Sequence, residues 1–180
     1  MIYVHLADGF EEVEALTIVD ILRRANCDVQ FVSITDDKLI RGAHDIYVQS
    51  DITYSEADYD QCEMIVLPGG LPGSTNLEAH SGLREHIKDF AKSGKRLAAI
   101  CAAPMVLGTC GVLEGKRATI YPGMEEYLKG GTATGEDVTV DGNIITGKGP
   151  ALAMDFALAL AKELAGEAVA DEVAEGLLKK

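Results

Sequence analysis

The chain has 180 residues, 47% of them hydrophobic and 25% charged, with a formal net charge of -13. That length and composition fit one globular domain over residues 1–180 with a sizeable core, and they exclude a disordered or fibrous chain. The acidity excludes nucleic acid as a partner, because a phosphate-binding surface needs a basic stripe and the 16 Lys and Arg residues are scattered.

No run approaches the roughly 20 apolar residues needed to cross a bilayer, so no membrane partner is expected. Met1 to Ala7 lacks the basic flank of a signal peptide, which makes the cytoplasm the expected location. Cys27, Cys62, Cys101 and Cys110 show neither Cys-x-x-Cys spacing nor a neighbouring His pair. Reduced thiols are therefore expected, with no disulfide framework and no metal site.

Ile2 to Leu6 reads as a strand, followed by Asp8-Gly9 and an amphipathic helix from about Glu11 to Ala25. Val13, Leu16, Val19 and Leu22 set its apolar face at three-residue steps, and Asn26 stops it. Asp28 to Ile34 is a second strand. Between Leu39 and Tyr54 a weak alternation (Ile46, Val48, Ile52, Tyr54) predicts a small antiparallel excursion. Met64 to Leu67 is a buried strand that ends in Pro68-Gly69-Gly70, a turn with free N–H groups.

One long helix is predicted within Ser74 to Ser93, closed by Gly94, and it leads to a strand at Leu97 to Ile100. Cys101 follows at once, and Ala102 onward reads as a helix that tolerates Pro104 in its first turn. Ala118 to Tyr121 is a short strand before Pro122. Val138 to Thr146 is a hairpin around Asp141-Gly142, which favours a primed turn. Pro150 opens an apolar helix through about Leu164, Gly166 stops it, and Glu167 to Leu178 forms the last helix.

Strands that alternate with helices predict an α/β fold, a mostly parallel sheet with helices on both faces. Ligands bind outside the carboxyl ends of such strands, where Cys101, Gly69-Gly70 and the acidic segment after Ala7 all fall. A thiol at a strand-to-helix turn meets the unpaired N–H groups of the helix start, so its pKa is expected below the usual value of about 8.5. Glu11, Glu12 and Glu14 supply carboxyls from the first helix. A carboxylate beside a thiolate repels it, so the partner acid is expected to have a raised pKa and to donate a hydrogen bond while protonated. The N–H groups of Gly69, Gly70 and Ala102 are candidates for an oxyanion hole. None of His5, His44, His80 and His86 lies at an evident strand end beside Cys101; His80 and His86 fit helix faces, and His44 is a candidate entrance residue.

The motifs Asp8-Gly9-Phe10-Glu11-Glu12-Val13-Glu14, Ile65-Val66-Leu67-Pro68-Gly69-Gly70, Ala98-Ala99-Ile100-Cys101-Ala102-Ala103-Pro104 and Thr146-Gly147-Lys148-Gly149-Pro150 occur in order over nearly the whole chain. In this the sequence resembles the ThiJ/PfpI superfamily, most closely its DJ-one branch. The resemblance implies a flavodoxin-like three-layer sandwich with a nucleophile elbow at Cys101, commonly as a homodimer. It implies that Glu14, rather than Glu11 or Glu12, is the acid that holds the thiol. The activity it implies is cofactor-free conversion of a small carbonyl substrate such as methylglyoxal, of the glyoxalase III or deglycase type. The alternative it implies is a redox-sensing stress protein or holdase that forms cysteine sulfinate.

Two positions depart from the family pattern. Tyr121 precedes Pro122 where glyoxalase-active members often carry a histidine, and a phenol with pKa near 10 is a poorer proton shuttle than imidazole. Its expected role is to orient substrate or thiol. His44 stands where some members have an arginine. A protease or amidase like other branches of the superfamily would carry a histidine directly after the nucleophile, where this chain has Ala102.

Overall fold

A computed structural model describes residues 1–179. The first strand, β1 (Ile2–Leu6), is apolar at every position but His5 and fully buried; it leads into helix α1 (Glu12–Arg24) and strand β2 (Val29–Ser33). A hairpin of β3 (Leu39–Arg41) and β4 (Tyr47–Gln49) precedes β5 (Ile52–Thr53) and β6 (Met64–Leu67). Then come helices α2 (Gly73–Ala79) and α3 (Ser81–Ser93), strand β7 (Arg96–Ile100) and helix α4 (Pro104–Thr109). The last third holds β8 (Arg117–Ala118), β9 (Thr132–Ala133), β10 (Val138–Asp141), β11 (Ile144–Gly147), α5 (Ala153–Ala165) and α6 (Glu167–Gly176).

Seven strands form the main sheet in the order β10-β11-β7-β6-β1-β2-β5. All neighbours are parallel except β10 and β11, which make the predicted hairpin with Gly142 at φ 63° in its two-residue turn. Side-chain alternation divides the core between the faces. Val4, Leu6, Val66, Ala98 and Ile100 pack against Ile18 and Leu22 of α1 and Phe156 and Leu160 of α5. Tyr3, Ile65, Leu67, Leu97 and Ala99 pack on Leu77, Leu83, Ile87, Phe90 and Val106 across the other face. The result is the expected three-layer, flavodoxin-like α/β sandwich.

Four local expectations are corrected. The long helix breaks at His80, whose extended backbone ends α2 and whose Nδ1 accepts the Leu83 N–H at 3.0 Å to cap α3. Ile52–Thr53 does not belong to the antiparallel excursion but pairs in parallel with β2 at the sheet edge. The strand predicted at Ala118 to Tyr121 stops at Ala118, because the Thr119 N–H goes to Thr146 Oγ1 (2.8 Å) and the Tyr121 N–H to the Cys101 carbonyl (2.8 Å). On α1, Ala15, Ile18, Val19 and Leu22 face the sheet while Val13 and Leu16 remain exposed at 54% and 44%. Both three- and four-residue steps fit a helix, and only the packed sheet decides which stripe is buried.

His5 is a buried exception within β1. Its Nε2 lies 2.7 Å from the Tyr59 hydroxyl, and burial pushes its pKa down to about 3, so the ring is neutral in the core.

Candidate active site

Cys101 follows directly on β7 and sits at φ 61°, a left-handed conformation unusual for a residue with a side chain. Backbone hydrogen bonds enforce it: the Cys101 N–H donates to the Gly147 carbonyl at 2.9 Å and the Cys101 carbonyl accepts from Tyr121 at 2.8 Å. The turn through Ala102 and Ala103 then enters α4, where Pro104 at the first helical position forfeits no hydrogen bond. Cys101 shares a core face with Ile100 and α1 although it directly follows Ile100, because the left-handed turn breaks the strand's alternation and brings the thiol to Glu14.

Glu14 is fully buried on the inner side of α1. Its Oε2 accepts the Gly69 N–H at 2.7 Å, while Oε1 has no hydrogen-bond partner, and the Cys101 thiol lies beside the carboxyl. Gly69 must lack a side chain. A Cβ there would lie 2.7 Å from the Cys101 Cβ and 2.8 Å from Glu14 Oε2. Gly70, at φ 90°, is as confined, since a Cβ would meet the Glu11 nitrogen at 2.4 Å.

The structure thus brings Cys101, Glu14, Gly69, Gly70, Ala102 and Tyr121 together, with one change of role. The Gly69 N–H is spent on Glu14 and is not free for an oxyanion. Only the Gly70 and Ala102 N–H groups face the sulfur. Tyr121 is 47% exposed and borders the mouth of the site with Leu71 and Met124. Neither Leu71 nor Met124 carries chemistry, and the sequence offers no signal for either.

The electrostatics also differ from the expectation of a low thiol pKa. Burial, then the charge of Glu14, pushes Cys101 up to about 12 against the pull of the Gly70 and Ala102 N–H groups. Helix α4 has only six residues, and its field does not overcome those two effects. Glu14 is itself pushed up to about 7, by burial first, with the Gly69 N–H and Cys101 acting the other way. Two acids in one buried site titrate as a pair. Near neutrality Glu14 is partly protonated beside a protonated thiol; above about pH 7 the pair keeps a single proton, and when that proton rests on Glu14 the charge is on sulfur.

Glu12 and His44 are settled by the fold. Glu12, a first-turn residue that the helix dipole alone would favour in solvent, is 3% exposed and accepts both the His44 backbone N–H and its Nδ1–H at 2.7 Å. That bond fastens the β3–β4 hairpin to α1. His44 does not line the mouth beside Cys101. Glu11 anchors through its backbone, donating to the Gly69 carbonyl at 2.9 Å.

A parallel sheet with a left-handed cysteine at the end of a central strand, facing a buried carboxyl, defines a flavodoxin-like domain built around a nucleophile elbow. The chain belongs to the DJ-1/PfpI family, whose model matches residues 1–163. It is 39% identical over 175 residues to protein dj-1beta of Drosophila melanogaster, covering 96% of this chain and 94% of that protein. It is 37% identical to protein DJ-1 homolog A of Arabidopsis thaliana, covering 98% of this chain but 46% of that longer protein. The solved structure of oxidized Toxoplasma gondii DJ-1 superposes with a TM-score of 0.94 at 34% identity, covering 98% of this chain and 97% of that one.

The raised Glu14 pKa has a stability consequence of definite sign. A carboxyl whose folded pKa lies above its unfolded 4.5 contributes stability that is intact below 4.5 and lost as the pH rises through about 7. Relative to Glu14→Gln, the wild type is expected to lose about 3 kcal/mol of unfolding free energy between pH 4.5 and about pH 8. Urea denaturation of both proteins across that range measures it; a constant difference would show that Glu14 ionises freely.

Proposed function

We propose that the protein is a cysteine-dependent, cofactor-free enzyme acting on small reactive dicarbonyls such as methylglyoxal. The observation that supports this best is the placement of Cys101 on a strained elbow against a carboxyl that holds a proton near neutrality. The Cys101 thiolate adds to the aldehyde carbon, the sulfur–carbon bond forms, and the carbonyl π pair moves to oxygen beside the Gly70 and Ala102 N–H groups. Glu14 supplies the proton that this oxygen takes up. It then removes the proton on the former aldehyde carbon, giving an enediolate, and returns it to the neighbouring carbon, while the hydroxyl proton passes from the first oxygen to the second. The first carbon regains its C=O as a thioester and the second carries the hydroxyl of a 2-hydroxy acid. Water cleaves the thioester and regenerates the thiol, so methylglyoxal plus water gives lactate with no net redox change.

Tyr121 contributes orientation. No histidine stands at the cleft mouth to relay protons, so Glu14 carries the proton transfers alone. Purified protein is expected to form lactate from methylglyoxal. Cys101→Ser should abolish it, and Glu14→Gln should reduce kcat by about 10²–10⁴-fold. Activity undiminished in Cys101→Ser would sink the mechanism.

The same thiol supports a second reading, a redox sensor or holdase in which Cys101 becomes a sulfinate held by protonated Glu14. Cys101 has 8% exposure and two N–H groups directed at its sulfur, and the similar Toxoplasma gondii DJ-1 was solved in an oxidized form. Mild peroxide followed by mass spectrometry should place two oxygens on Cys101 before any on Cys62 or Cys110. The reverse order would remove this reading.

The protein is further proposed to be a homodimer. Val13 and Leu16 on α1 and Ile46 and Tyr47 on the hairpin bound to it are all more than 40% exposed, more apolar surface than an isolated chain ordinarily leaves in one region. Sedimentation equilibrium should give twice the chain mass for the wild type and a shift toward monomer for Leu16→Glu with Ile46→Glu.

A further inference from the structure

We propose that the pocket over Cys101 selects α-oxoaldehydes whose keto carbon carries an aryl or comparably bulky apolar group, the phenylglyoxal class, over methylglyoxal. The inference rests on the dicarbonyl reading above and concerns which member of that class the site takes. The pocket holds about 180 Å³ and is lined by Gly70, Leu71, Cys101, Ala102, Tyr121 and Met124. None of these residues is Asp, Glu, Lys, Arg or His. The polar groups lie at one end, where the thiol meets the Gly70 and Ala102 N–H groups and the dicarbonyl oxygens would sit.

Everything beyond that end is hydrocarbon or aromatic. Leu71 and Tyr121 are 56% and 47% exposed, so an apolar substituent laid between them and Met124 would remove surface from water that nothing in the chain covers. The methyl of methylglyoxal is too small to reach across this space. An apolar cavity of about 150 Å³ is known to accommodate benzene, so the available volume admits a phenyl ring. The lining also argues against a substituent bearing phosphate or carboxylate, since among the described residues no Lys, Arg or His borders the pocket.

The test compares kcat/KM of purified protein for phenylglyoxal and methylglyoxal. One further methylene in an apolar pocket is worth about 10–200-fold, so a ratio of at least ~10 in favour of phenylglyoxal is expected. Leu71→Ser should narrow that ratio, chiefly through KM for phenylglyoxal. Leu71 is exposed enough that its removal leaves the core intact. A ratio at or below one, or a ratio that Leu71→Ser leaves unchanged, would overturn the proposal. If neither aldehyde is turned over, the dicarbonyl reading fails on its own. The pocket is then judged by alkylation of Cys101 with N-phenyl iodoacetamide and iodoacetamide, each rate referred to free cysteine. Preference for the phenyl reagent, lost in Leu71→Ser, supports an aryl-binding pocket, and equal referred rates overturn it.

Discussion

The left-handed backbone at Cys101 is the constraint on which the rest of the site depends. Holding a non-glycine residue there costs about 1–3 kcal/mol, and the chain does so only because β11 and the segment before Pro122 supply hydrogen bonds on both sides of the peptide. Extended backbone at this position would carry the chain on as strand and turn the thiol away from α1. With the elbow in place, the sulfur projects beyond the carboxyl end of the sheet. The turn after β6 must then pass so close that residue 69 tolerates no side chain.

From that geometry follows the electrostatic character of the site. A thiol and a carboxyl buried together cannot both ionise near neutrality, so the site retains a proton that either atom can hold. The Gly69 N–H fixes which way the carboxyl faces, and the Gly70 and Ala102 N–H groups stabilise charge on sulfur. The two proposed chemistries, carbonyl addition and oxidation to sulfinate, would both draw on this arrangement. The two would differ in what reaches the thiol, and Leu71, Tyr121 and Met124 form the apolar mouth through which it would pass.

Much of this architecture was legible in the residues. The apolar runs at Met64–Leu67 and Leu97–Ile100, and Ile2–Leu6 apart from His5, suit strands buried on both faces, and all three lie side by side in the sheet. Asp141-Gly142 marked its hairpin because Gly142 alone can take the positive φ of the turn. Less legible were features fixed by partners distant in sequence. His80 interrupts a stretch of otherwise helical composition by capping the next helix, and Val13 and Leu16 fit an apolar stripe as well as Ile18 and Leu22 do.

By itself the sequence determined the α/β class, the broad order of elements and the family, because periodicity, turn chemistry and ordered motifs are local properties of the chain. The tertiary structure alone decided that the Gly69 N–H serves Glu14 rather than an oxyanion, that Glu12 is buried against His44, and that the thiol is raised instead of lowered. These outcomes turn on distances of 2.7 Å between residues 32 to 55 positions apart and on how completely solvent is excluded from them. Desolvation depends on everything packed around a group, and no short stretch of residues encodes it.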